Sequence, residues 1–102
     1  MNLDGFSFQS IVCRPQSKGS VSLASNNPRD HPIIKTGYFT NEKDIKTMRE
    51  GLRLSRKIAQ ASPLAKYLGE EVYPGSQVQS DEEFNEYIKS VCTLSLNFSF
   101  SL

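Results

Sequence analysis

The chain has 102 residues, 37% of them hydrophobic, and its 12 Lys and Arg against 11 Asp and Glu leave a formal charge of +1. That length holds one small domain with a modest core, in which roughly a third or more of the unfolded-chain surface stays exposed. The near-neutral balance lacks the basic footprint of a nucleic-acid binder, and no run approaches the roughly 20 apolar residues of a membrane span.

The opening residues, Met1 to Phe6, show no basic stretch followed by an apolar one, so no secretory leader is expected in the chain as written. The cysteines, Cys13 and Cys92, lie far apart and share the chain with one histidine, which gives no metal-ligand spacing. Both thiols are expected to be reduced and buried.

From Phe6 to Cys13 the residues alternate, with Phe6, Phe8, Ser10 and Val12 on one face and Ser7, Gln9, Ile11 and Cys13 on the other. Pro15 then removes a main-chain donor, Gly19 can take positive φ, and Val21 and Leu23 resume the alternation. The pattern predicts strands at about 6–13 and 20–25 joined as a hairpin by a loop longer than two residues. Asn26 to Pro32 holds two prolines and turn-forming Asn and Asp, leaving at most a short extended piece at Ile33 and Ile34.

Thr40 or Asn41 can cap the next helix, and Glu42 and Asp44 stand in its first turn, where the helix dipole favours negative charge. Ile45, Met48, Leu52, Ser55 and Ala59, widened by Ile58, recur at three and four residues as one buried face, with Lys43, Lys46, Arg53 and Lys57 opposite. Gly51 inside this helix costs about 1 kcal/mol against Ala, a cost that makes sense where a neighbour packs closely. Ser62 and Pro63 end the helix, and Pro63 can open a short second one stopped by Gly69.

Glu70 to Gln79, with Tyr73, Pro74 and Gly75 at its centre, reads as a surface connection. Ser80 to Glu83 is a capping box for a helix whose stripe is Phe84, Tyr87, Ile88, Val91 and Cys92. After Thr93, Leu94, Leu96, Phe98, Phe100 and Leu102 alternate with Ser95, Asn97, Ser99 and Ser101, a pattern that suits an edge strand. The fold class is α+β, a small antiparallel sheet or hairpin with packed helices.

No catalytic constellation is complete. His31, between Asp30 and Pro32, reads as a loop imidazole bonded to Asp30 or the main chain, because a general base needs a positioned partner. Arg14 and Lys18 flank the predicted loop and suit either a carboxylate or phosphate ligand or plain solvation. Glu82 and Glu83 are accounted for by capping, since adjacent helical residues do not face each other. Ser17 and Ser20 have no histidine in a nucleophile setting, and no GxGxxG or P-loop offers a nucleotide-phosphate cradle.

The run Arg14 to Ser25, then Asn27, Pro28 and Pro32, then Gly37, Tyr38 and Phe39, resembles the C-terminal substrate domain of glucose–methanol–choline (GMC) oxidoreductases. Met48 to Arg56 matches that domain's helix, and Tyr73 to Gly75, Ser80, Asp81 and Glu86 to Ile88 extend the likeness in order. Residues 5–92 are thus expected to be a partial GMC substrate domain and 93–102 a divergent apolar and serine-rich tail. The wording around Cys13 to Ser17 is nearest the algal fatty acid photodecarboxylase branch, with choline-dehydrogenase-like enzymes next.

The resemblance implies FAD held by a dinucleotide-binding half not contained in these residues, and hydride transfer from a small-molecule alcohol CH–OH group to that flavin. In the photodecarboxylase branch it implies instead light-driven loss of CO₂ from a fatty acid, and a plastid. Gln9, four residues before Cys13, matches the Gln that faces the pocket in that branch; a polar strand residue at the sheet surface is the plainer reading. The family's catalytic histidine is expected after Ser90, where this chain has the 93–102 segment instead, so no catalytic residue is assigned and the fragment is expected to be inactive alone. A non-catalytic module that pairs its hairpin edge or apolar tail with another chain is the third reading.

Overall fold

The computed structural model describes residues 4–91 and the main chain of 98–101. Its elements in order are β1 (Ser7–Ser10), β2 (Ser20–Ser22), β3 (Ile33–Lys35), α1 (Glu42–Gln60), a short 3-10 turn (Leu64–Tyr67), α2 (Asp81–Val91) and β4 (Phe98–Ser101). The α+β expectation holds, but the strands pair differently from the predicted hairpin. β1 pairs with β4, antiparallel with Gln9 opposite Ser99, and β2 pairs with β3, antiparallel with Val21 opposite Ile34. The loop after β1 is therefore a crossing between two sheets, and the short piece at Ile33 and Ile34 is a full partner.

α1 begins where Asn41, in extended conformation, accepts the Lys43 main-chain N–H on its side-chain oxygen (2.9 Å). Its buried residues are Asp44, Ile45, Met48, Leu52, Ser55 and Ala59, the face the three- and four-residue spacing picks out, while Ile58 stays 43% exposed. Gly51 earns its place against β1. A Cβ there would lie 3.3 Å from the Ser10 Oγ, and Ser10 and Ser55 bring their hydroxyls to 3.5 Å at the same contact. Ser55 itself is satisfied by the Gly51 carbonyl (3.0 Å).

The capping box forms as read: Ser80 Oγ accepts from Glu83 N (3.2 Å), and the Glu83 carboxylate accepts from Ser80 N and Gln79 N (both 2.9 Å). α2 then buries Phe84 and Ile88 against Ile45, Met48 and Leu52 of α1, with Phe8, Val12, Phe39 and Val78 closing the edges of this core. The 3-10 turn is capped by Pro63 and ends at Leu68, one residue short of Gly69.

One reading needs correcting and two need sharpening. The Glu70 to Gln79 connection lies largely at the surface, with Tyr73 59% exposed, but Pro74 and Gly75 at its centre are buried where the Arg56 guanidinium donates to the Gly75 carbonyl. Arg53 stays on the exposed face opposite the buried one, as read, and there lies over the Phe84 ring (5.1 Å) and pairs with Asp81. Cys13 is an exposed free thiol rather than a buried one, while Cys92 lies outside the described residues. Every residue of β2 and β3 is exposed, so this ribbon contributes nothing to the helical core.

Candidate functional site

The strand that could line a site is β1. Phe8, Ser10 and Val12 turn toward the helical core and are half-buried, while Ser7, Gln9 and Ile11 are exposed on the other face. Gln9 therefore stands on the open face of the β1–β4 sheet. Its neighbourhood is set by α1, whose Gly51 lets β1 approach closely.

The loop that leaves β1 is anchored from the same helix. The Asp44 carboxylate accepts the main-chain N–H of Gln16 on one oxygen (2.8 Å) and that of Ser17 on the other (2.7 Å). Ser17 Oγ in turn accepts the Asn41 N–H (3.1 Å), filling a donor that the start of α1 leaves open. The Gln16 N–H above all, together with Ser17, holds the Asp44 carboxyl below the usual carboxylate range, and burial of the group opposes that only in part. Arg14 and Lys18 stay exposed on either side of this anchor. Sequence reasoning placed Asp44 as a dipole residue and missed its carboxylate as the loop's ligand, since nothing local links positions 16 and 44.

A second polar centre organises the far end of the helices. Arg56 makes a forked pair with Glu71 (2.8–3.2 Å), and both side chains are about nine-tenths buried. Two further guanidinium hydrogens go to the carbonyls of Val78 (2.6 Å) and Gly75 (2.9 Å), and the guanidinium carbon lies 4.8 Å from the centre of the Phe84 ring. Arg49 donates to Asn85 (2.8 Å) and, with Arg53, faces Asp81, which lowers the Asp81 carboxyl, mainly through Arg53. Tyr87, half-buried, is pushed up by burial first and by the Glu71 charge second.

The other sequence candidates are not gathered into a site. Asp30, the partner expected for His31, accepts instead from Ser25 Oγ (2.5 Å) and Asn27 Nδ2 (3.5 Å), and His31 is exposed. Glu83 serves the cap and Glu82 is exposed. Among the described residues no group of three or more His, Cys, Asp and Glu side chains is placed to hold a metal, and no helix is long and apolar enough to cross a membrane. The segment where the family histidine was sought lies largely outside the described residues.

A flavin fits these residues poorly. The main-chain donors that line up on a loop, those of Gln16 and Ser17, are already filled by Asp44, which leaves no phosphate cradle there. Among the described residues, the feature β1 presents is its exposed face.

Comparison with known proteins places this arrangement. A family model described as GMC oxidoreductase matches residues 15–97. The chain is 39% identical over 85 residues to a chloroplastic fatty acid photodecarboxylase of Chlamydomonas reinhardtii, covering 83% of this chain and 14% of that protein. It is 41% identical over 85 residues to an oxygen-dependent choline dehydrogenase of Pseudomonas fluorescens, covering 83% and 15%. Against the mitochondrial choline dehydrogenase of Mus musculus it is 43% identical over 77 residues, covering 76% and 13%. The match thus spans about a seventh of the length of these relatives.

Proposed function

We propose, from the premise that this chain belongs to the GMC oxidoreductase family, that residues 5–92 are the substrate-side portion of an FAD-dependent oxidoreductase acting on the CH–OH group of a small alcohol. The observation that carries this is the family match over 15–97, joined to a β1 strand that is packed on α1 by one face and open on the other. FAD, which GMC oxidoreductases generally use, supplies the electron acceptor from polypeptide other than these residues. The chain's own part is to hold β1 flat over the reaction site, with Gly51, Ser55 and Asp44 fixing the strand and its exit loop on α1. In this reading Gln9 faces the substrate, residues 93–102 are a divergent tail, and the 102 residues alone do not turn over, because among the described residues the Gln16 and Ser17 donors are taken up by Asp44 and no base is assigned.

The test has two arms. The purified chain is expected to carry no flavin absorbance and to reduce no dye in the presence of choline. Grafted into the P. fluorescens enzyme in place of the matched segment, it is expected to restore choline-dependent dye reduction. Flavin on the isolated chain, or an inert graft that folds and holds flavin, overturns the reading.

A second reading has its own support in Gln9, which stands on the open face four residues before Cys13, the placing expected of the photodecarboxylase branch. On that reading the substrate is a fatty acid, the reaction is light-driven decarboxylation, and the compartment is a plastid. Grafting into the C. reinhardtii enzyme separates the two. Light-dependent CO₂ release that falls at least tenfold on Gln9→Leu supports it, and release unchanged by that substitution removes it.

A further inference from the structure

The loop that leaves β1 is held more firmly than its own side chains require. Arg14, Pro15, Gln16 and Lys18 are exposed and Ser17 is half-buried, so residues 14–18 bring no apolar side chain to the core. Yet both oxygens of Asp44, a residue only 4% exposed, are given to this loop, at the N–H groups of Gln16 (2.8 Å) and Ser17 (2.7 Å). A buried charge is costly unless it is fully hydrogen-bonded. The helix itself does not call for this one, because Asn41 already caps α1 through the Lys43 N–H (2.9 Å). Ser17 Oγ adds a return bond from the loop to the helix by accepting the Asn41 N–H (3.1 Å).

A second anchor lies further along α1. Gly51 admits Ser10 of β1, and the Ser10 and Ser55 hydroxyls meet there at 3.5 Å. Asp44 and Gly51 are two helical turns apart, about 10 Å along the axis at 1.5 Å per residue. The stretch from Ser10 to Gln16 can span about 20 Å when extended, so chain length alone does not fix its path. The Asp44 bonds take up that slack. Both anchors act from the α1 side, while Gln9 and Ile11 stay exposed on the open face of the strand.

We infer that Asp44 is a positioning residue for the reaction: by fixing the exit loop at Gln16 and Ser17 it sets where β1 lies on α1, and so where Gln9 is presented to the substrate. The inference rests on the functional reading above, in which the open face of β1 meets the substrate. The Asp44 carboxylate is directed at the loop, and its effect on turnover passes through Gln9. That distinguishes it from a residue that only stabilises the fold, whose loss would lower turnover whatever stands at position 9.

The experiment is a double-substitution cycle on the graft in the P. fluorescens enzyme, read as choline kcat/KM per bound flavin. Asp44→Ala is expected to lower that value about tenfold or more, since a misplacement near 1 Å can cost about a hundredfold. In a Gln9→Leu background the same change is expected to lower it less than about threefold, because residues acting through one contact are not additive. Asp44→Asn keeps one acceptor oxygen and is expected to give an intermediate loss; it carries the cycle if Asp44→Ala does not fold. In the 102-residue chain, Asp44→Asn is expected to speed hydrogen exchange at Gln16 and Ser17 and to shift the amide signals of Gln9 and Ile11. An active graft in which the two losses multiply, or Gln9 and Ile11 signals that do not move, overturns the positioning role and leaves the functional reading standing. A folded, flavin-loaded graft without turnover overturns the functional reading, and the positioning role with it. If the unsubstituted graft does not fold, the cycle is run in the intact P. fluorescens enzyme at the residues aligned with Gln9 and Asp44: coupled losses support the positioning role, and losses that multiply overturn it.

Discussion

The helical half of the molecule and the β2–β3 ribbon place their apolar side chains to opposite effect. On α1 and α2, Leu52 and Ile88 are fully buried and Phe84 nearly so, and the charged groups at their border are paired with one another. On the ribbon, Val21, Leu23 and Ile34 face outward with no comparable cover. The difference teaches that buried and exposed apolar surface are separated along this chain: the helices, with Phe8, Val12 and Phe39 at their edges, enclose a core, while residues 19–37 leave an apolar face exposed.

The largest test of that separation is Arg56→Ala. It leaves the Glu71 carboxylate and the Val78 and Gly75 carbonyls buried without their donor, and is expected to destabilise the chain by about 3–5 kcal/mol, read as the denaturant midpoint at constant slope. Arg56→Lys is expected to recover only part of this, since a point charge cannot reproduce the fork. Leu52→Ala comes next at about 2–5 kcal/mol, because the side chain is fully enclosed and the helices cannot close over the space. If either substitution were silent, the helical half would not be the self-supporting one.

Acidification gives a smaller and more local effect. Asp44 is held below the usual carboxylate value, so its contribution is complete above the unfolded-state value near about pH 4 and is lost as pH falls through the lower folded-state value. Asp81 and Glu83 are shifted in the same direction and add to the same window. Thermal midpoints are expected to be level from neutral pH to about pH 5 and to fall below about pH 4. Asp44→Asn is expected to flatten part of that fall, and amide signals of Gln16 and Ser17 should move with it. A midpoint that instead rises on acidification would show that these carboxylates are not stabilised as ions.

The smallest global effect is expected at Gly19. A Cβ there collides with the Lys35 and Thr36 carbonyls, so Gly19→Ala should open the ribbon and abolish exchange protection at Val21 and Ile34. The melting midpoint is expected to stay within the range of a surface change, about 0.5 kcal/mol. A large global loss would mean that ribbon and helices fold as one unit, against the separation drawn here.

Much of the helical half can be read from order along the chain. The face Ile45, Met48, Leu52, Ser55, Ala59 follows from the helical period, and the cap at Ser80 from four consecutive residues. The strands were legible as strands but not in their pairing: β1 takes β4 from the far end of the sequence and β2 takes β3 across a polar loop. Of the candidate site, the face of Gln9 follows from alternation and its candidacy from the family resemblance, whereas the anchoring of the next loop by Asp44 follows from neither.

By itself the amino-acid sequence determined where helices start and stop, which of their faces is apolar, and the family, because each depends on residues close together or on their order. Strand partners, the exposure of Cys13, the burial of Pro74 and Gly75 beside Arg56, and the exposure of Val21 and Ile34 were decided only in three dimensions. The reason is physical. Helical hydrogen bonds and caps are satisfied within about four residues, while strand ladders, buried ion pairs and the cover of an apolar face need groups that the chain must bring from elsewhere.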